Sequence, residues 1–130
     1  MPYIKRSIKK KRIKYNKYQH NKNHTRYYNA YRDIRQEYIR RHPLDELLFI
    51  EGIIKPMEEC HHLIEISSTK DEDERMFLAT CIDNLISLTK QNHIKVHNYP
   101  ERLTDRQREY LNAKISNMNK ILYEYRCIRD

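Results

Sequence analysis

A chain of 130 residues, 38% hydrophobic and 34% charged, is sized for one domain with a modest core and an added arm. A single Gly and four Pro argue against a β-sandwich with many tight turns. The absence of any run of about 20 apolar residues argues against a membrane span. The Lys-rich start is no apolar leader and Cys60, Cys81 and Cys127 have no motif spacing, so a soluble, reduced, cytoplasmic protein is expected.

The net charge of +8 is uneven. Ten Lys or Arg and no Asp or Glu lie in residues 1–26, while the other 104 residues hold 16 basic and 18 acidic side chains. Residues 1–24 therefore read as a basic arm that binds a polyanion through phosphate contacts, which carry affinity but no sequence information. Its candidate nucleic-acid contacts are Lys9, Lys10, Lys11, Arg12, Lys14 and Lys17, joined by Arg32 and Arg35 of the first helix. A solvated tail is the plainer alternative.

Thr25 is placed to cap a helix to about Arg41, with Tyr28, Tyr31, Ile34, Tyr38 and Ile39 at helical spacing. That stripe reads as core before it reads as a base-stacking surface. His42-Pro43 ends the helix, because a residue before Pro avoids the helical region. His42, like His20 and His24 of the arm, is given no chemical role.

Residues 44–54 predict a short helix or turn and then a bend at Gly52. Residues 53–66 contain a predicted strand that includes Cys60-His61-His62-Leu63-Ile64. Strand neighbours point to opposite faces, so one of His61 and His62 can join a metal while the other faces elsewhere. Residues 67–83 form an insertion, with a short helix over about 71–79 that starts acidic and packs Met76, Phe77 and Leu78. Its acids read as a solvated face. A second strand holds Leu85, Ile86 and Leu88.

A helix opens at Thr89 or Lys90 and closes at Asn98-Tyr99-Pro100. His93 and His97 stand four residues apart on it, sharing one face, and two such imidazoles can grip one metal ion. Thr104, with Gln107 in the capping-box position, starts a last helix to about residue 126 or 127. Leu111, Ile115, Met118, Leu122 and Tyr125 form its packing stripe.

The ordered set His61-His62, Asn84, His93 and His97, with β-prone flanks and the lead-in Arg40-Arg41-His42-Pro43-Leu44-Asp45-Glu46-Leu47-Leu48, resembles the HNH endonucleases. The likeness runs from about Tyr27 to His97 and is nearest to the phage-type members. It implies an α+β, mostly helical fold: a ββα-metal core (about residues 53–98) with flanking helices and the basic N-terminal arm. Residues 25–130 would be the nuclease domain. Carried over position by position, it makes His61, His93 and His97 metal ligands and His62 the general base. Asn84 would brace the loop behind that base. If His97 is not a ligand, Asn84 or water takes its place.

Phage-type members also carry two Cys-x-x-Cys pairs that hold a structural zinc. Asp45, Leu48, Thr89 and Asn92 occupy those positions here, so no thiolate cage is expected. Leu47, Leu48, Phe49 and Ile50 are expected to fill the space instead.

The implied reaction is metal-assisted hydrolysis of DNA, as a nick or a double-strand cut. Three neutral imidazoles favour zinc, nickel or manganese, with magnesium still open. The resemblance also implies a phage setting, with the packaging terminase as a further partner. Two other readings stay open: a catalytically inactive DNA-binding module on the same fold, and a virion- or terminase-associated interaction protein acting through its last helix.

Overall fold

The computed structural model describes residues 28–129. The arm, the Thr25 cap, Lys9, Lys10, Lys11, Arg12, Lys14, Lys17, His20 and His24 lie outside them. The fold is α+β and mostly helical, with one two-stranded antiparallel sheet. None of the described helices is long and apolar enough to cross a membrane.

Helix α1 occupies residues 28–41 and turns its Tyr38 side inward. It ends as the His42-Pro43 pair requires, with His42 N donating to Tyr38 O at 2.8 Å. Residues 43–45 and 55–57 then run antiparallel, through Asp45 N to Lys55 O at 2.9 Å and Met57 N to Pro43 O at 3.0 Å. Between them lie the single turn of α2 (Glu46–Phe49) and Gly52, whose φ of 79° is the left-handed conformation a side chain would resist.

Strand β1 (Glu59–His62) is shorter than the 53–66 window that contains it. Pro56 lacks a backbone donor, and beyond His62 the chain turns back, with Leu63 N donating to Asn84 O at 2.8 Å. β1 pairs with β2 (Leu85–Leu88) in the register Glu59↔Leu88, Cys60↔Ser87, His61↔Ile86 and His62↔Leu85. Between the strands lies α3 (Glu72–Thr80), N-capped by Asp71, whose Oδ1 accepts from Glu74 N at 3.0 Å.

The acids of α3 are not all solvated. Glu74 is 5% exposed and takes Arg126 Nε at 2.7 Å, while Asp71 takes Arg129 at 3.0 Å. The sequence showed the acidic start but not the arginines a long helix would bring across to it.

Thr89 caps α4 (Lys90–Asn98), which follows β2 directly. Helix α5 (Asp105–Arg129) starts in a capping box: Thr104 N donates to Gln107 Oε1 at 2.9 Å and Gln107 N to Thr104 Oγ1 at 3.1 Å. It outruns the expected end by two or three residues because Arg126 and Arg129 are held by α3. Two apolar clusters lie along it. Leu111 packs with Leu47, Ile86, Leu88 and Leu103, and Met118 and Leu122 pack with Leu78. Phe77 of α3 stacks on Tyr125 at 4.0 Å.

The four positions matching the zinc cysteines meet, but not through an apolar plug. Asp45 is 0% exposed. Its Oδ1 accepts from Leu48 N at 2.8 Å, and its Oδ2 from Thr89 N at 2.7 Å and Asn92 Nδ2 at 2.9 Å. One carboxylate thus ties the start of α2 to the start of α4. The expectation that Leu47 to Ile50 replace the zinc is corrected: Leu47 belongs to the core and Phe49 is 57% exposed. A one-turn helix cannot point four consecutive side chains the same way.

Next to it, buried Glu46 accepts from Tyr38, Tyr110, Ser87 N at 2.7 Å and Lys114 Nζ at 3.1 Å.

Candidate metal centre

Strand parity sorts the functional side chains. Glu59 and His61 lie on one face of β1, Cys60 and His62 on the other. The Glu59–His61 face meets α4, where one helical turn brings His93 and His97 together. The imidazole centroids form a triangle: 4.6 Å from His61 to His93, 4.5 Å from His61 to His97, and 4.7 Å from His93 to His97.

Each histidine offers one nitrogen, and the three lie within 4.8 Å of one another, so a divalent ion can be held here. Zn–N bonds of about 2.0–2.1 Å place tetrahedral ligand nitrogens about 3.3 Å apart, a gap that small side-chain rotations close. The triangle lines an open cleft of about 440 Å³ together with His62, Glu65 and Ser67.

The electrostatics suit ligand nitrogens. Burial, reinforced by His93, His97 and His62, pushes the His61 imidazole down to about 3, so its lone pair is free at neutral pH. Glu59 Oε1 sits 2.6 Å from His93 Nδ1, which leaves His93 Nε2 for a metal. Glu65 Oε1 is 3.9 Å from His97 Nδ1. Sequence reasoning passed over Glu59, although its place two residues before His61 on a strand put it on the ligand face.

By strand parity His62 belongs to the other face of β1, yet its side chain also borders this cleft. Burial lowers its basicity, and a backbone hydrogen bond with Ala79 opposes that shift. Its Nε2 is buried without a hydrogen-bond partner. The carbonyls around the Ala79 bond are gripped by Asn84, which is 0% exposed. Its Oδ1 accepts from Ile64 N at 2.8 Å, and its Nδ2 donates to Ile64 O at 2.9 Å and Leu78 O at 3.0 Å. Thus committed, the Asn84 amide is not available as a substitute ligand for His97.

Arg32 is exposed on α1 beside Asp33, at 4.0 Å, and Arg35 is half-buried against Tyr31. His42 stacks on Tyr38 at 4.4 Å, away from the triangle. Tyr31, read from sequence as core, lies over the His62 ring. Comparison with known protein families, with curated proteins and with solved structures finds no match.

Proposed function

We propose that the chain is a metal-dependent endonuclease of the HNH type, cutting phosphodiester bonds in DNA on a ββα-metal core. The observation that carries this reading is the joint arrangement of three convergent histidines and a fourth, His62, adjacent to His61 on β1 and close to the end of α3 that Asn84 grips. A bound divalent ion would withdraw charge from the scissile phosphate and stabilise the leaving 3′-oxygen.

The remaining work falls to the chain's own groups. His61, His93 and His97 hold the ion, and Glu59 orients His93. His62 takes a proton from the attacking water. Asn84 braces the neighbouring chain without touching substrate. Arg32, Arg35 and the basic arm, with Lys9, Lys10, Lys11, Arg12, Lys14 and Lys17, hold the DNA backbone. Three imidazoles favour zinc, nickel or manganese, with magnesium a weaker fit. The family resemblance extends the proposal to a phage setting and a role beside the packaging terminase.

One observation favours a second reading. His62 Nε2 is covered, as suits a DNA-binding module whose metal serves structure alone. Plasmid relaxation by metal-stripped protein, with zinc, nickel, manganese or magnesium restored, separates the two. Cutting that His62→Ala abolishes, while metal and DNA binding persist, supports the endonuclease. Tight DNA binding without cutting under any metal supports the module.

A further inference from the structure

Two carboxylates bracket His61 along the chain, and each turns toward a different histidine of α4. Glu59 already reaches His93, with Oε1 2.6 Å from Nδ1. Glu65 lines the metal cleft and stops short of His97, with Oε1 3.9 Å from Nδ1. That gap is about 1 Å longer than a hydrogen bond between nitrogen and oxygen. With Nδ1 turned to Glu65, Nε2 is the nitrogen that His97 has left for an ion.

Glu65 is held in place from both sides. The residue before it, Ile64, is fixed at N and O by the buried Asn84 amide, at 2.8 Å and 2.9 Å. The residues after it turn back through a short 3₁₀ turn (Ile66–Ser68), where Ser68 N and Ser68 Oγ donate to Glu65 O at 3.0 Å and 2.6 Å. Ser67 Oγ donates to Glu65 Oε2 at 3.4 Å, which leaves Oε1 toward His97. The backbone is therefore pinned, while the side chain, 61% exposed, keeps the freedom to close the last ångström.

A histidine that binds a metal nearly always gives its other ring N–H to a carboxylate, a carbonyl or water, and that partner fixes the tautomer and makes the ligand more basic. His93 has its partner in Glu59, and Glu65 is the carboxylate that the fold sets beside His97. We propose that Glu65 is the positioning residue of His97: once an ion holds Nε2, the Nδ1–H closes onto Glu65 Oε1, so that each α4 histidine is backed by one carboxylate. The inference rests on the metal centre of the endonuclease reading. It gives Asn84 a second role, since the grip on Ile64 also sets where Glu65 stands.

Zinc alone is the probe, bound to the full chain. Its affinity is read by competition against a chromogenic chelator, and the His97 ring by nitrogen-15 NMR of the zinc-loaded protein. The wild type should bind zinc through His97 Nε2, with the Nδ1 proton protected from exchange. Glu65→Ala should weaken zinc binding by about 10–100-fold and lose that protected proton, while urea unfolding of the metal-free chain stays unchanged. Glu65→Gln, which keeps an acceptor oxygen without the charge, should recover the proton and part of the affinity.

Unchanged affinity in Glu65→Ala, or coordination through His97 Nδ1, would overturn the role. So would cobalt ligand-field bands that shift as far in Glu65→Ala as in His97→Ala, because Glu65 would then be a ligand itself. Wild-type zinc affinity no higher than that of His97→Ala would remove the centre and the role with it. If plasmid cutting needs His62 but the Glu65 variants bind zinc as the wild type does, the endonuclease stands and this role falls. If zinc binding depends on Glu65 as expected but no metal supports cutting, the endonuclease reading falls and Glu65 keeps its role.

Discussion

Two polar regions flank the same small sheet and solve opposite problems. Around Asp45 and Glu46 the carboxylates are closed in by donors from α1, α2, β2, α4 and α5. Around His61, nitrogens converge on one another across an open cleft. A buried carboxylate whose two oxygens are both engaged by donors has little left to offer a ligand, so it acts as a brace. Imidazoles gathered nitrogen to nitrogen gain little from one another and much from a cation. Burial alone would have ranked Asp45 as the functional residue; satisfaction of hydrogen bonds ranks the histidines instead.

The comparison breaks hardest at His62. In the endonuclease reading, His62→Ala lowers the metal-dependent cutting rate by about 10²–10⁴-fold, the range of a general base, and leaves unfolding by urea little changed. Loss of metal content in that variant would return His62 to the ligand set. Asp45→Ala should do the converse. It strands the donors of Leu48, Thr89 and Asn92 and should cost about 3–5 kcal/mol in urea unfolding. A cost under about 1 kcal/mol would show that the brace is dispensable.

Glu59→Gln tests the one carboxylate that reaches the histidines. Removing a partner of this kind lowers metal affinity by about 10–100-fold, read by competition against a chromogenic chelator. Unchanged affinity would assign Glu59 to the strand surface. Acid should separate the regions as well. His61 is held neutral down to about 3, whereas an unfolded imidazole takes its proton near 6.5. Between those values the unfolded chain binds the extra proton, so metal-free stability falls as pH drops from 6.5 towards 3. The slope contributed is at most about 1.4 kcal/mol per pH unit, and His61→Gln should remove it.

The smallest effect expected lies far from both regions. Thr104→Ala breaks the capping box of α5 and should cost about 1 kcal/mol, with metal affinity unchanged. A change in metal affinity here would mean that α5 sets the geometry of the triangle.

What the sequence determined by itself was local. Pro43 had to end α1, Gly52 had to take the bend, and Thr104 with Gln107 had to open α5, because each depends only on bonds within a few residues. The i, i+4 step of His93 and His97 and the alternation of His61 and His62 followed from helix and strand periods. Tertiary structure decided what each group faces. Asp45 occurs where a thiolate was looked for, and only folding showed that it meets Thr89 and Asn92, over forty positions away, as a hydrogen-bonded clasp. Glu74 needed Arg126, and His93 needed Glu59, from distant parts of the chain. The placement of Tyr31 against His62 was likewise invisible along the chain, since an apolar stripe does not say which distant ring it will meet. Periodicity is a property of neighbours, whereas the pairing of a buried charge or an imidazole depends on which distant element folding brings against it.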